Sequence, residues 1–330
     1  MLIYPVFIPF QGCPFRCIYC QQETITHHAS DSFTIDTEKI KQFIHKNAGI
    51  DKEIAFFGGT FTALKPEVQK QLFSQTLKLL DDKTSFRIST RPDFINKNIL
   101  SFLKENHVRT IELGIQSFQE NVLKQSYRGY TVNQATEACK LIKENHFKLC
   151  IQLMPGLPGD RIETFLKSAE IALSLKPDYL RLYPTIVLKG TELERMYHEG
   201  LFDPWNLDEA LLAVSAVVKK TEVSPTKIIK IGLHSDLNIT KKEVISGPWH
   251  QNFGELIKGI LLLEKCLSHV KQAKILYISP FDASLLLGNQ KYVLDFCKNK
   301  LSLKLPEKII VDKTLKKESY YIQEINMEEI

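Results

Sequence analysis

Three closely spaced cysteines constrain this chain more than any other feature. Cys13, Cys17 and Cys20 stand at x3 and x2 spacing in the stretch from Gly12 to Gln22. A loop this short can fold three thiolates around one iron-sulfur cluster. A four-iron cubane normally takes four cysteines, so three cysteines leave one iron open to another ligand.

Two other uses of these cysteines remain open from the loop alone. A zinc site could recruit His27 or His28 as a fourth ligand, although zinc modules usually bring a second spaced pair. A disulfide framework needs an oxidising compartment, whereas residues 1–10 contain neither a basic segment nor a small-residue cleavage site. The other four cysteines have apolar neighbours and are expected to be core thiols: Cys139, Cys150, Cys266 and Cys297.

Length and composition indicate an ordinary globular protein. With 330 residues, 44% of them hydrophobic and 25% charged, the chain can bury a large core as one big domain or one and a half. No apolar run approaches the ~20 residues of a transmembrane helix, so we expect a cytoplasmic protein without a membrane partner. The formal charge of +5 is compatible with an RNA partner, but a solvated basic surface is the commoner cause.

Two kinds of segment alternate over the first two hundred residues. Apolar residues at helical spacing follow a predicted helix cap at Asp36 and a predicted helix start at Pro66, and the same spacing recurs in three later stretches of the chain. Between the helices lie short runs rich in β-branched and aromatic residues, at Leu2 to Pro9, Glu53 to Phe57, Ser85 to Ser89, Thr110 to Leu113, Lys148 to Met154 and Tyr179 to Tyr183. This alternation predicts a parallel α/β sheet with right-handed crossovers. Six units are fewer than the eight of a closed barrel, so an open or partial barrel is expected.

Ligands of parallel α/β barrels gather on the loops that follow the strands. The cysteine loop follows the first predicted strand, and Gly58 and Gly59 follow the second, where glycine lets the backbone approach a ligand closely. A tight turn is the structural alternative for this glycine pair. Polar residues of the fourth strand and its loop also have structural alternatives to a ligand contact: Glu112 and Gln116 could belong to a hydrogen-bond network within the barrel, and Arg128 could pair with a helix carboxylate.

Taken together, these motifs resemble the radical S-adenosylmethionine (SAM) superfamily. The cysteine loop, with Tyr19 before its third cysteine, is similar to the cluster loop of that superfamily, and the glycine pair resembles its Gly-Gly motif. Further runs resemble the Elp-three-like proteins, the catalytic subunits of Elongator: Ser89 to Asp93, Ile111 to Phe118, Tyr127 to Thr131 and Leu153 to Asp160. A Gly-Pro-aromatic-His run at residues 247–250 resembles a segment of short bacterial members of that group.

The resemblance implies a partial (β/α)6 barrel, a [4Fe-4S] cluster on Cys13, Cys17 and Cys20, and SAM chelating the open iron through its methionine end. An electron from a flavodoxin-type or ferredoxin-type donor would cleave SAM, and the resulting 5'-deoxyadenosyl radical would abstract hydrogen from a substrate. Residues implied to contact SAM are Phe7, Tyr19, Gly58, Gly59, Thr60, Ser89, Arg91, Gln116, Arg128 and Gln152. No further catalytic residue is assigned.

Three of these positions depart from the related oxygen-independent coproporphyrinogen oxidase branch. Phe7 stands where that branch has Tyr, so a hydroxyl contact is lost. Ser89 and Gln152 stand where acidic residues are expected, and they can hydrogen-bond a ribose or an amine without the charge. The departures weaken a porphyrin assignment more than they weaken SAM binding.

Residues 1–205 are predicted to form the radical SAM core, and residues 206–330 a smaller α+β accessory region. Predicted elements there include a helix from Leu207 to Thr221, a strand from Lys227 to Leu233 and a helix from Gly254 to Cys266. His234 and His250 are expected to be structural. A chain of 330 residues leaves no room for an acetyltransferase domain, so acetyl-CoA-dependent uridine carboxymethylation is not assigned to it.

The resemblance implies modification of tRNA or rRNA as the leading function. Two alternatives remain, a radical SAM enzyme acting on a small molecule such as a tetrapyrrole, and a noncatalytic protein that binds SAM and the cluster. The oligomeric state is not predicted.

Overall fold

The computed structural model describes residues 2–21, 35–233, 242–270 and 273–324. Its main feature is a seven-stranded sheet in which every neighbouring pair is parallel. In spatial order the strands are β1 (Leu2–Phe7), β2 (Lys52–Phe57), β3 (Thr84–Thr90), β4 (Val108–Gln116), β5 (Lys148–Leu153), β6 (Tyr179–Leu182) and β8 (Lys227–Ile231). The curled sheet confirms the expected partial barrel.

The six strands predicted from residue patterns are confirmed to within a few residues. The sequence also predicts a strand at Lys227, but it does not predict that this strand joins β6 as a seventh member of the sheet. The sheet therefore extends beyond residue 205. The division of the chain into residues 1–205 and 206–330 stays a prediction.

Helices follow the strands as the alternation predicts. The Asp36 side chain caps the first of them by accepting a hydrogen bond from Lys39 N at 3.0 Å, and Pro66 opens the second. The helices of the main unit are α1 (Thr37–Lys46), α2 (Pro66–Leu77), α3 (Lys97–Glu105), α4 (Glu120–Gln125), α5 (Val132–Glu144), α6 (Ile162–Ser174), α7 (Glu192–His198) and α8 (Leu207–Thr221).

An aromatic cluster fastens α2 and α3 to the sheet. The Phe73 ring of α2 lies 5.9 Å from Phe56 of β2, 5.1 Å from Phe86 of β3 and 5.9 Å from Phe102 of α3, measured between ring centroids. Aromatic pairs at such distances add to the free energy gained from burial alone. The outer faces of β2 and β3 are thereby covered by helices.

The remaining residues form a smaller α+β part. Its elements are β7 (Val187–Leu188), β9 (Val244–Ser246), α9 (Phe253–Leu267), β10 (Ala273–Ile278), α10 (Ala283–Leu287), α11 (Tyr292–Lys300), β11 (Lys308–Val311) and β12 (Tyr320–Glu324). Strands β11, β10 and β12 form one sheet, and β7 pairs with β9. Buried residues of α9 and β10 belong to the same hydrophobic core as the barrel. Within the described ranges, no helix has the length and apolar character needed to cross a bilayer.

Candidate functional site

A cavity of about 200 Å³ lies at the carboxyl ends of the first five strands. Twelve of the thirteen predicted site residues line it: Cys13, Cys17, Tyr19, Cys20, Gly58, Gly59, Thr60, Ser89, Arg91, Gln116, Arg128 and Gln152. We call it the cysteine cavity. The remaining predicted residue, Phe7, lines a larger cavity inside the barrel instead.

The loop after β2 packs directly on the cysteine loop. Thr60 N donates to Gln11 O at 2.9 Å, and the Thr60 hydroxyl lies 3.3 Å from Cys13 Sγ. A Cβ atom on Gly59 would stand 2.3 Å from Gln11 O and 2.7 Å from Ile8 O, which is closer than real contacts allow. Glycine is therefore required here for the approach of two backbones, in addition to any contact with a ligand.

Arg128 connects the loop after β4 to the cysteine loop. Its Nη1 donates to Cys17 Sγ at 2.9 Å and to the Tyr19 hydroxyl at 3.0 Å, while Nε donates to the Tyr130 hydroxyl at 3.0 Å. Nη2 donates to Gly114 O. Burial and the Arg128 guanidinium act in opposite directions on Tyr19, and burial prevails, so the pKa of the Tyr19 hydroxyl is raised. Among the described residues these partners include no helix carboxylate, the alternative partner of Arg128.

A second guanidinium stands beside the first. Arg91 Nε and Nη2 donate to the Asp93 carboxylate at 3.0 Å and 2.9 Å, and Nη2 also donates to Arg128 O at 2.5 Å. Its Nη1 is buried without a hydrogen-bond partner among the described residues. A buried charged donor without a partner is costly, and this one belongs to a side chain that lines the cysteine cavity.

Two amides face each other across the end of the sheet. Gln152 Nε2 of β5 donates to Gln116 Oε1 of β4 at 3.1 Å. A bulge between Gly114 and Gln116 interrupts the register with β5, and Gln116 adopts a φ of +74°, which is uncommon for a residue other than glycine. Bulges beside active sites redirect a side chain, and this one turns Gln116 into the cavity.

The donor set fits a cluster better than a single metal ion. A cubane takes one cysteine per iron, so its ligands need not converge on one point. Within the described residues, no three His, Cys, Asp or Glu side chains converge as a single ion requires. Three thiols, two guanidinium groups and the unpaired Arg91 Nη1 around one cavity suit an anionic cluster with an open iron. His27 and His28, the alternative zinc ligands, lie outside the described residues.

Burial raises the pKa of the Cys13 thiol, and the hydrogen bond to Thr60 and the two nearby arginines lower it in part. Deprotonation of Cys13 to a thiolate is therefore favoured by the positive charge of the two nearby arginines. The four cysteines expected in the core are indeed buried: Cys139, Cys150, Cys266 and Cys297.

A larger cavity of about 1000 Å³ fills the inside of the barrel and shares Tyr19, Cys20, Gly58, Ser89 and Gln152 with the cysteine cavity. We call it the barrel cavity. The shared residues make the two spaces neighbours, so a molecule in the barrel cavity can approach a ligand of the cysteine cavity.

Buried ion pairs form part of the barrel wall. Arg87 lies 2.7 Å from Glu53 and 3.3 Å from Glu112, and Arg181 lies 3.0 Å from Glu112. Arg181 also donates to the Tyr183 hydroxyl at 2.9 Å. Sequence reasoning named Glu112 as a residue of a barrel network but missed its arginine partners. Their signal was the presence of charged residues inside otherwise apolar strands.

Phe15 is another residue that the motifs did not single out. Its ring is 50% exposed, lies 5.1 Å from the Arg91 guanidinium and would contact a Cβ atom on Gly129 at 3.2 Å. It therefore closes one side of the cysteine cavity. The expectation that His250 is structural agrees with its contact, because its Nδ1 accepts a hydrogen bond from Asn252 N at 3.0 Å. His234 lies outside the described residues.

Comparison with known proteins agrees with this site. Residues 7–172 match the family model of the radical SAM superfamily, and residues 177–261 match that of the radical SAM C-terminal domain. The chain is 27% identical over 250 residues to the tRNA uridine(34) acetyltransferase of Methanocaldococcus infernus, covering 69% of this chain and 46% of that protein. It is 31% identical over 254 residues to Elongator complex protein 3 of Mus musculus, covering 68% and 45%. The chain thus spans about half the length of these curated relatives.

Solved structures show the same fold. An archaeal Elp3 from Methanocaldococcus infernus, with an N-terminal deletion, superposes with a TM-score of 0.62 at 24% identity, covering 80% of this chain and 62% of that one. Coproporphyrinogen III oxidase from Escherichia coli superposes with a TM-score of 0.50 at 18% identity, covering 67% and 52%. With its cysteine loop at the carboxyl end of a partial barrel, and with a family model matching half of its length, the chain belongs to the radical SAM superfamily.

Proposed function

We propose that this radical SAM enzyme modifies RNA, with a nucleoside of tRNA or rRNA as its substrate. The similarity to a tRNA uridine(34) acetyltransferase over 69% of the chain carries the proposal. The superfamily works with a [4Fe-4S] cluster and SAM. When bound, these groups supply a 5'-deoxyadenosyl radical that can abstract hydrogen from a substrate.

The proposed cluster ligands are Cys13, Cys17 and Cys20, which line the cysteine cavity together. Arg128 would hold Cys17 in place through its hydrogen bond and would offset negative charge at the cluster. Arg91 would donate its spare Nη1 to an acceptor in the same cavity. This chain's own contribution is therefore to fix the ligand geometry and to supply positive charge where water is excluded.

The proposed SAM contacts fall into two kinds. Gly58, Gly59 and Thr60 offer backbone groups and a hydroxyl beside the cysteine loop, and Tyr19 offers a ring between the two cavities. The polar side chains of Ser89, Gln116 and Gln152 are neutral donors and acceptors suited to a ribose or an amine. Phe7, which lines the barrel cavity, would contribute apolar contact alone.

The barrel cavity is the proposed substrate chamber, and it is large enough for a nucleoside. An electron donor of the flavodoxin or ferredoxin type, and a cytoplasmic location, belong to the same proposal. The volume also favours a second candidate, a small molecule such as a tetrapyrrole, since a chamber of about 1000 Å³ is the size of ligand pockets in general.

The test is a mass-spectrometric inventory of nucleosides in total tRNA and rRNA. Cells of the source organism that carry the wild-type chain are compared with cells that carry Cys17→Ala, and Cys139→Ala serves as the control because it removes a buried thiol that does not line the cysteine cavity. We expect one modified nucleoside to disappear in Cys17→Ala alone. Identical inventories with both proteins expressed would contradict the RNA proposal and would favour a small-molecule substrate.

A further inference from the structure

The barrel cavity reaches far beyond the cysteine cavity. Gln152 lines both cavities, whereas Lys148, four residues earlier on β5, lines the barrel cavity alone. Four residues of a strand span about 13 Å, so the cavity extends by that length from the cysteine end of the barrel towards the amino ends of the strands. A substrate that fills it must therefore be elongated, with one end at the radical site and the other among different side chains.

Lysines from two strands line that distant end. Lys148 begins β5 and Lys227 begins β8, and Tyr179 at the start of β6 lies between them, paired in register with Lys227. The register of β6 and β8 shifts between Leu180 and Arg181, so that Lys230 also lines the cavity, but Lys230 pairs with Arg181, which is level with Gln152, and it therefore lies nearer the carboxyl ends of the strands. Residues 227 and 230 would point to opposite faces of a regular strand, and the bulge brings both to the cavity.

Tyr179 holds Lys148 in position. The Lys148 ammonium lies 3.4 Å from the Tyr179 hydroxyl and 5.8 Å from the centroid of its ring, and the Arg87 guanidinium lies 5.3 Å from the same ring. Cation-π contacts of this kind fix a cation without neutralising it. The charge of Lys148 therefore remains available to a ligand.

Within the described residues, neither Lys148 nor Lys227 forms an ion pair with an acidic group of the cavity. Glu112 is paired with Arg87 and Arg181, and within the described residues it forms an ion pair with neither Lys148 nor Lys227. Asp51, the other acidic residue that lines this cavity, directly precedes β2, and in the part of the chain that the structure describes it forms no ion pair with Lys148 or Lys227. The distant end of the cavity thus carries an excess of positive charge.

We propose that Lys148 and Lys227 form a subsite for a phosphate group of the substrate at the amino end of the barrel. The phosphate binds about 13 Å from the cysteine end while the group to be modified reaches the radical site. The phosphate comes either from an RNA nucleotide or from a small phosphorylated molecule. This inference rests on the proposed function, because it assumes that the substrate enters the barrel cavity.

The test measures binding of phosphate probes to the purified full chain with its cluster under anaerobic conditions. Inorganic pyrophosphate, nucleoside 5'-monophosphates and a short single-stranded RNA are titrated separately. Lys148→Met and Lys227→Met remove one charge each at nearly constant volume. Lys167→Met is the matched control, because Lys167 is an exposed residue of α6 on the outside of the barrel.

We expect each cavity variant to weaken binding of a phosphate probe about tenfold, and the control to leave it unchanged. If the RNA alone depends on the lysines, the phosphate belongs to RNA; if the monophosphates depend on them, it belongs to a small molecule. A wild-type chain that binds no probe, or cavity variants that bind as the wild type does, would overturn the subsite. Thermal unfolding checks the fold, and the exposed Lys227 carries the test if Lys148→Met is unstable.

This result is separable from that of the nucleoside inventory. A nucleoside lost in Cys17→Ala, together with unaltered probe binding in the lysine variants, refutes the subsite and leaves RNA modification standing. Lysine-dependent binding of monophosphates with an unchanged inventory refutes RNA modification and leaves the subsite standing.

Discussion

Arg128 donates a hydrogen bond to Cys17 Sγ at 2.9 Å, although 111 residues separate the two in sequence. The same guanidinium is anchored to Tyr130 and to Gly114 O, so its position is fixed by the end of β4 rather than by the cysteine loop. The barrel thereby dictates where the middle cysteine of the loop lies. Loop and barrel are coupled through one side chain.

Replacing Arg128 by lysine should separate charge from geometry. Lysine keeps the positive charge, but a compact ammonium reaches fewer of the partners that the planar guanidinium bridges. We expect 5'-deoxyadenosine formation to fall at least about tenfold with iron content unchanged. Arg109→Lys, at an exposed position, is the control. An Arg128→Lys enzyme with wild-type turnover would show that the bridging contacts are dispensable.

The close contact at Gly59 predicts a loss of SAM affinity in Gly59→Ala. The added methyl group would collide with Gln11 O and Ile8 O, so the loop after β2 must move away from the cysteine loop. We expect the dissociation constant for SAM, measured by equilibrium dialysis, to rise about tenfold or more. Gly254→Ala is the matched control, since its added methyl group would meet nothing closer than Ile231 O at 3.5 Å. Equal SAM affinities in the two variants would refute this role.

The buried ion pairs predict a large effect on stability for Arg87→Met. Arg87 is fully buried, and its loss leaves Glu53 unpaired in the barrel wall and Glu112 with one partner fewer. Removing one partner of a buried pair typically costs 3–5 kcal/mol, so we expect the free energy of unfolding to fall by about that amount in urea titrations. Arg195→Met breaks exposed ion pairs on α7 and should change it very little. A small effect of Arg87→Met would mean that water or relaxation compensates the carboxylates.

Asp160 predicts a dependence of stability on pH. Burial raises the pKa of its carboxyl group to about 6, although Thr164 Oγ1 and two backbone amides donate to it. The folded pKa exceeds the unfolded value, so the contribution of Asp160 to stability is fully present below about pH 4 and is lost as the pH rises through 6. This amounts to roughly 2 to 3 kcal/mol.

Asp160→Asn removes the titrating group, so the difference in unfolding free energy between this variant and the wild type isolates the effect. The wild type should lose stability relative to the variant between pH 4 and pH 7. A constant difference across this range would indicate that the carboxyl group titrates near its ordinary value in the folded chain.

The parallel strands could be predicted because apolar, β-branched runs of four to eight residues alternate with helical spacing, a pattern that depends on local sequence alone. Sequence patterns could not predict that the strand Lys227–Ile231 belongs to the same sheet. This strand follows a long helix and joins β6 through a bulge that has no signal in the sequence. The same holds for the bulge at Gln116.

The site could be predicted as a set of residues but not as a network. Motifs placed the cysteines, the glycine pair and Arg128 on successive loops, and the carboxyl ends of parallel strands bring such loops together. The partners of Arg87 lie on β2 and β4, and their pairing depends on register rather than on sequence spacing. The assignment of Phe7 to the SAM site stays a prediction, and its side chain lines the barrel cavity.

The most direct test of the account measures 5'-deoxyadenosine and methionine formed from SAM by the anaerobically reconstituted chain with a strong reductant. The control Cys139→Ala should form as much of both products as the wild type does. The variants Cys13→Ala, Cys17→Ala and Cys20→Ala should form neither product and should lose the absorbance of the cluster. A reconstituted wild type that binds SAM without cleaving it, or a cysteine-loop variant that cleaves it at the wild-type rate, would contradict the account.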